Sequence, residues 1–132
     1  MARNAQGDER TAHDFNFRAI EGGPLPLKAF AGKTVIVVNT ASQCGFTKQY
    51  AELADLWARY RSKGLIVLAV PSNDFGNQEP GSEDQIKEFC EVNFGIDFPM
   101  TEKTHVHGGG AHPFYKWAAT HFGPLSKPRW NF

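Results

Sequence analysis

The sequence predicts an α/β fold, and three stretches carry that prediction. Thr34–Thr40 (Thr-Val-Ile-Val-Val-Asn-Thr) is an unbroken, mostly β-branched run. Such a run suits a strand covered on both faces, as in parallel sheets. Residues 47–63 place Tyr50, Leu53, Trp57 and Tyr60 at spacings of three and four, the apolar stripe of a helix. Residues 65–70 (Leu-Ile-Val-Leu-Ala-Val) are a second apolar strand. Strand, helix and strand in that order predict a right-handed parallel βαβ unit.

The remaining elements follow in chain order. Residues 1–12 read as a polar tail, and 13–132 as one domain. Residues 13–20, with Phe15 and Phe17, form a short alternating strand. Glu21-Gly22-Gly23-Pro24 is a turn, and 25–30 reads as its returning strand, giving an N-terminal hairpin. Ala31-Gly32-Lys33 is a second turn. Gly64 stands where a helix ends in a left-handed residue. Residues 71–81, rich in Pro, Gly, Asn and Asp, are a loop. Ser82 followed three residues later by Gln85 fits a capping box. The helix it opens carries Ile86, Phe89, Cys90 and Phe94 and stops at Gly95. Phe98-Pro99-Met100 is extended, and 101–111 is a turn region. His112-Pro113 opens a last helix with Phe114, Trp117, Ala118 and His121 on one face. Residues 124–132 carry no regular signal, and no internal repeat is visible.

Composition excludes several function classes. The 132 residues (14.7 kDa) carry 14 Lys+Arg against 14 Asp+Glu. Nucleic acid as the main partner is disfavoured, because phosphate binding needs surplus cations. No apolar run approaches the roughly 18–20 residues that span a bilayer. Residues 1–10 lack the apolar core of a secretory signal. Two Cys do not make a disulfide scaffold, so a reducing, cytoplasmic compartment is expected and the thiols become candidates for chemistry.

Cys44 is the first such candidate. It follows a buried-type strand and precedes a helix expected to start near Thr47. A thiol at a helix N-terminus meets the positive end of the dipole, which favours thiolate. An inert buried Cys is the alternative, and polar Ser42, Gln43 and Thr47 argue against it. Cys90, mid-helix beside Phe89, reads from periodicity as a core Cys. Gln78, in Phe75-Gly76-Asn77-Gln78-Glu79-Pro80-Gly81, could be aimed by a turn at a thiolate; the plainer reading is a solvated loop residue. Trp130 and Asn131 offer an indole N–H and a carboxamide, or simply terminal packing. His105, His107 and His112 match no ligand spacing well, and incidental His in a Gly-rich turn is the better reading. Gly108–Gly110 follows no strand and does not fit a phosphate loop.

Together these motifs resemble the glutathione peroxidase family, from about Phe15 to the end. Val37-Val38-Asn39-Thr40-Ala41-Ser42-Gln43-Cys44-Gly45-Phe46-Thr47 is similar to the active-site signature, with Cys44 at the peroxide-attacking position. Residues 75–82 resemble the second signature, with Gln78 at its catalytic Gln, and Trp130-Asn131-Phe132 the third. The resemblance implies a thioredoxin-like fold, a central mixed β-sheet flanked by helices with an N-terminal β-hairpin. It implies reduction of hydrogen peroxide and organic or lipid hydroperoxides, with Cys44, Gln78, Trp130 and Asn131 as a catalytic tetrad and no metal or organic cofactor. Phe89-Cys90-Glu91-Val92-Asn93-Phe94-Gly95 is similar to the resolving segment of members recycled by thioredoxin, which makes Cys90 the implied resolving Cys; glutathione is the other implied reductant. Ser72 and Asp74 depart from a common Cys and Gln, and Asp74 would bring a negative charge near the site. Only residues 122–129 precede the third signature, which implies a monomer. Relatives continue past Trp-Asn-Phe with a strand hairpin and a helix, so a C-terminally truncated domain is expected. A peroxide sensor relaying oxidation to partner thiols, and an inactive fragment, are the rival readings.

Overall fold

The computed structural model describes residues 9–44 and 48–132. Most of the expected polar tail and the expected helix start at Thr47 lie outside the described residues. The elements are β1 (Asn16–Arg18), β2 (Pro24–Pro26), β3 (Thr34–Thr40), α1 (Gln49–Tyr60), β4 (Leu65–Pro71), α2 (Glu83–Phe94) and α3 (Pro113–Phe122).

β3 and β4 pair in parallel, from Thr34 against Leu65 to Thr40 against Pro71. α1 is the crossover between them and buries Tyr50 and Trp57. It closes through a 3-10 turn, Arg61–Lys63, and Gly64 takes the left-handed φ of 92° that ends it. β4 is the centre of the molecule, and its side chains alternate between two cores. Val67 and Ala69 face Tyr50, Trp57, Ile86, Cys90 and Phe98, the side covered by α1 and α2. Leu68 and Val70 face Phe15, Phe17, Val106, Tyr115 and Trp117, the side covered by α3 and the N-terminal hairpin.

Residues 99–102 stitch the hairpin to β4. Ala69 N–H donates to the Pro99 carbonyl (3.0 Å), and Thr101 N–H donates to the Ala69 carbonyl (2.9 Å). On the other side, Ile20 N–H donates to Met100 (3.0 Å) and Glu102 N–H to Arg18 (2.8 Å). The bridge at Met100 is parallel and that at Thr101 antiparallel, so the central sheet is mixed, as expected.

Three local expectations need correction. The returning strand is only Pro24–Pro26, and Leu27–Phe30 coils into a 3-10 turn. Leu27 N–H still donates to the Phe15 carbonyl (3.0 Å) past Pro26, and the chain then leaves the hairpin for the 3-10 turn. The expected strand at 13–20 starts later, because Ala12–Asp14 forms a 3-10 turn in which Thr11 N–H donates to Asp14 Oδ2 (2.8 Å). β3 is half-buried rather than covered on both faces. Among the described residues it pairs along one edge only, and a groove runs over Val35, Val37, Phe114 and Ala118.

Helix ends follow the sequence signals closely. Gln85 N–H donates to Ser82 Oγ (3.3 Å) while Ser82 N–H donates to Gln85 Oε1 (2.9 Å), completing the capping box of α2. α3 is capped by His112, whose Nδ1 accepts from Phe114 N–H (3.0 Å). Its Nε2 lies 2.7 Å from the Asn16 carbonyl, and the ring stacks on Phe17 at 4.1 Å. Only a neutral imidazole serves both bonds. Burial pulls His112 below the ordinary imidazole range, with the Asn16 bond opposing.

The sign of the pH effect follows. An unfolded His112 binds protons below about pH 6.5, whereas the folded one resists them. Stability present above that pH is therefore lost as pH falls through the lowered folded value. His112→Asn keeps a capping acceptor and removes this titration. Its thermal midpoint is expected to fall less than the parent's between about pH 7 and 5. Parallel melting slopes for the two proteins would contradict the assignment.

Candidate active site

Parallel strands release their loops at one edge, and ligands collect at such carboxyl ends. Thr40 and Pro71, the last paired residues, open the two loops that matter. Ser72 N–H donates to the Thr40 carbonyl (2.9 Å), holding the loops together at their base. Further out, Gln43 N–H donates to the Gln78 carbonyl (2.9 Å), and Ser42 N–H to Glu79 Oε2 (3.0 Å). The residues just before Cys44 are thus strapped to Gln78-Glu79. Cys44 itself is 4% exposed, and neither Cys is in a disulfide.

The C-terminal segment reaches the same edge. Asn39 Nδ2 donates to the Trp130 carbonyl (2.7 Å) and to Asn131 Oδ1 (3.1 Å), and Phe132 N–H donates to the Asn39 carbonyl (2.7 Å). One β3 residue therefore anchors the Trp-Asn-Phe run. Trp130 lies against Phe75, ring centres 5.9 Å apart. Gly76 has a positive φ of 64°, and a Cβ there would stand 3.2 Å from Trp130 Cη2 and 3.5 Å from Gln78 Cγ. Glycine takes this φ without strain and leaves the indole the space that a Cβ would crowd. Among the described residues, Gln78 Oε1 and Asn131 Nδ2 are buried without a hydrogen-bond partner. Buried polar atoms left open in this way are costly, and they are common where a ligand or intermediate supplies the missing bond.

The structure sets the Gln78 and Trp130 side chains beside the same residue, Gly76, and carries Asn131 to the same strand end through Asn39. Cys44 is tied in through its preceding residues. Two contributors escaped sequence reasoning. Asn39 had one signal, a carboxamide inside an otherwise apolar strand. Glu79 had none, since a carboxylate in a polar loop gives no hint of burial.

Cys90 lies in the apolar cluster under α1 and α2, and is 0% exposed. Burial pushes its thiol up to about 11, with the Glu79 and Glu91 charges adding to the shift. The Tyr50 hydroxyl is near enough to temper it, but makes no well-formed hydrogen bond, so a Cys90 thiolate is not held there.

The Asp74 carboxylate has its partners in the loop at 105–107. It staples that loop, accepting from Val106 N–H (2.7 Å) and His107 N–H (3.1 Å) and meeting His105 Nδ1 at 2.8 Å. Burial raises its carboxyl, but these partners outweigh burial and hold it below the usual range. Among the described residues, no three His, Cys, Asp or Glu gather as a metal site, and no helix is long and apolar enough to cross a membrane.

The sequence profile of the glutathione peroxidase family matches residues 12–119. The chain belongs to the glutathione peroxidase family. It is 43% identical over 130 residues to a hydroperoxy fatty acid reductase of Synechocystis, an alignment covering 92% of this chain and 77% of that one. Among solved structures it is similar to Trgpx in its apo form, with a TM-score of 0.72, 32% identity, and coverage of 95% of this chain and 76% of that one. Likeness in fold alone extends to a thioredoxin-like protein of Aeropyrum pernix, with a TM-score of 0.52, 21% identity, and coverage of 67% of this chain and 62% of that one. The fold is thioredoxin-like, and the protein is a thiol peroxidase that reduces hydroperoxides.

Proposed function

We propose that Cys44 is the peroxidatic thiol, served by Gln78, Trp130 and Asn131, and that Cys90 resolves the oxidised form. The observation that carries this reading is the strapping of both loops and the C-terminal run at one strand edge, through Gln43–Gln78 and through Asn39. The Cys44 thiolate attacks the distal peroxide oxygen. An S–O bond forms as the O–O bond breaks, and the departing oxygen takes a proton to leave as water or alcohol. Sulfur is oxidised to sulfenic acid. Carboxamide and indole N–H donors around it stabilise the anionic sulfur and the developing charge on the leaving oxygen. The Cys90 sulfur then displaces the sulfenic oxygen as water, giving a disulfide that a dithiol protein or glutathione reduces.

Organic and lipid hydroperoxides are the proposed substrates beside hydrogen peroxide. Trp130, 43% exposed beside the site, gives their apolar part a surface. The protein would act as a monomer in a reducing, cytoplasmic compartment, with thioredoxin as its main reductant. Peroxide consumption driven by thioredoxin and by glutathione in parallel tests this. Thioredoxin is expected to support turnover at least about tenfold faster at equal thiol. Equal or faster turnover with glutathione would remove the case for a Cys90 route.

A further inference from the structure

We propose that Glu79 is a positioning residue for Cys44, holding the loop that carries the thiol through the Ser42 amide. This deepens the reading of Cys44 as the peroxidatic residue and rests on it.

Glu79 is 1% exposed and ranks among the largest fully buried side chains of the protein. Charged side chains are rarely buried so completely unless specific partners hold them. Its Oε2 accepts from Ser42 N–H at 3.0 Å, two residues before Cys44. The Ser42 hydroxyl stands near the same carboxylate without completing a hydrogen bond. The other end of Glu79 is fixed from the loop after β4, because its own N–H donates to Asn73 Oδ1 (2.9 Å). Its neighbour Gln78 accepts from Gln43 N–H (2.9 Å). Two successive amides before Cys44 are therefore held by two successive residues after β4, one by a main-chain carbonyl and one by a side chain.

The side-chain half of this clasp is the adjustable half. The Gln43–Gln78 bond survives any substitution at position 79 that leaves the backbone in place. The Ser42 bond needs an acceptor at the reach of a glutamate. If it is lost, the segment leading to Cys44 keeps one tether and gains a pivot about it. A loose nucleophile loses rate even where the fold is intact, because small misplacements from the productive geometry are costly. Burial also raises the Glu79 carboxyl, with Ser42 and the Lys103 charge offsetting it. A glutamine supplies the same acceptor without the charge.

The test uses the reduced full chain and reads two quantities. One is single-turnover consumption of hydrogen peroxide, and the other is amide exchange at Ser42. Glu79→Asp keeps the charge but withdraws the carboxylate by one methylene. It is expected to slow peroxide consumption at least about tenfold and to strip protection from Ser42, while β4 amides stay protected. Glu79→Gln keeps the reach and is expected to recover most of that loss. Glu79→Asp reacting at the parent rate, with Ser42 unprotected, overturns the proposal. So does Glu79→Gln as slow as Glu79→Asp with Ser42 still protected, since the charge and not the clasp would then matter. A parent chain that consumes no peroxide at Cys44 overturns the peroxidatic assignment, and this proposal with it.

Discussion

Cys44→Ser is expected to abolish peroxide turnover, lowering the steady-state rate by at least about a thousandfold. Serine is nearly isosteric and leaves the surrounding bonds in place. Gln43 still meets Gln78, Ser42 still meets Glu79, and the Trp-Asn-Phe run still hangs from Asn39. What disappears is the sulfur. A hydroxyl is scarcely ionised at neutral pH and cannot be carried to a sulfenic acid and back. The Cys90 thiol offers no substitute, since it is sealed in the core and pushed up to about 11. The measurement is reductant-coupled consumption of hydrogen peroxide and of a fatty-acid hydroperoxide by both proteins. A Cys44→Ser protein retaining a tenth of the parent rate would place the chemistry elsewhere. The thermal midpoint should move little, so that lost activity is not lost fold.

Legibility in the sequence followed the range of the forces involved. Ser82 and Gln85 announced the start of α2 because both partners of the cap lie within one turn. Gly95 announced its end because one residue must adopt the left-handed φ, here 61°. β4 announced itself as a buried strand because every residue after its first is buried. The same inference failed for β3, whose Val35–Val38 stretch is as apolar but whose outer edge has no strand beside it among the described residues. A strand's sequence states what it could bury, and its neighbours decide what it does bury. The partners of Asp74 were hidden for a related reason, since they lie at 105–107, 31 to 33 residues on.

At the site, motif spacing pointed to the residues with chemistry but not to those that hold them. Asn39 gains its meaning from Trp130 and Asn131 at the far end of the chain, and Glu79 from Ser42 on the other loop. Neither bond leaves a periodic trace. The unpaired carboxamide atoms of Gln78 and Asn131 are likewise a property of the folded edge alone.

Removing the Cys90 thiol is expected to leave the first peroxide event in place and to cut thioredoxin-driven turnover at least about tenfold. Cys90→Ala is the better variant, because it removes the sulfur and puts no hydroxyl into the apolar cluster. The structure sets a condition on this role. Cys90 shares its cluster with Tyr50, Ile86 and Phe98, and Cys44 belongs to neither apolar cluster. A disulfide needs the two Cα atoms within about 7 Å. Where the reduced fold holds them further apart than that, α2 has to release Cys90 before the sulfurs can join. The C-terminal turn is the part suited to open. Val92 is 75% exposed, and Asn93 spends its side chain on the Phe89 carbonyl (2.9 Å). Beyond it, Gly95 N–H donates to Glu91 (3.0 Å) and Ile96 N–H to Cys90 at a longer 3.3 Å. Against opening stand Phe94, 5.4 Å from the Tyr50 ring, and the apolar packing of Cys90 itself. Oxidation by one equivalent of peroxide is therefore expected to link Cys44 to Cys90 and to raise amide exchange across residues 90–95, while the Ser82 end of the helix stays protected. Non-reducing mass analysis that finds Cys44 as sulfinic acid, or joined to glutathione, with Cys90 still free would sink the resolving role. Normal thioredoxin cycling by Cys90→Ala would do the same, and would leave direct attack by the external thiol on Cys44 as the route of reduction.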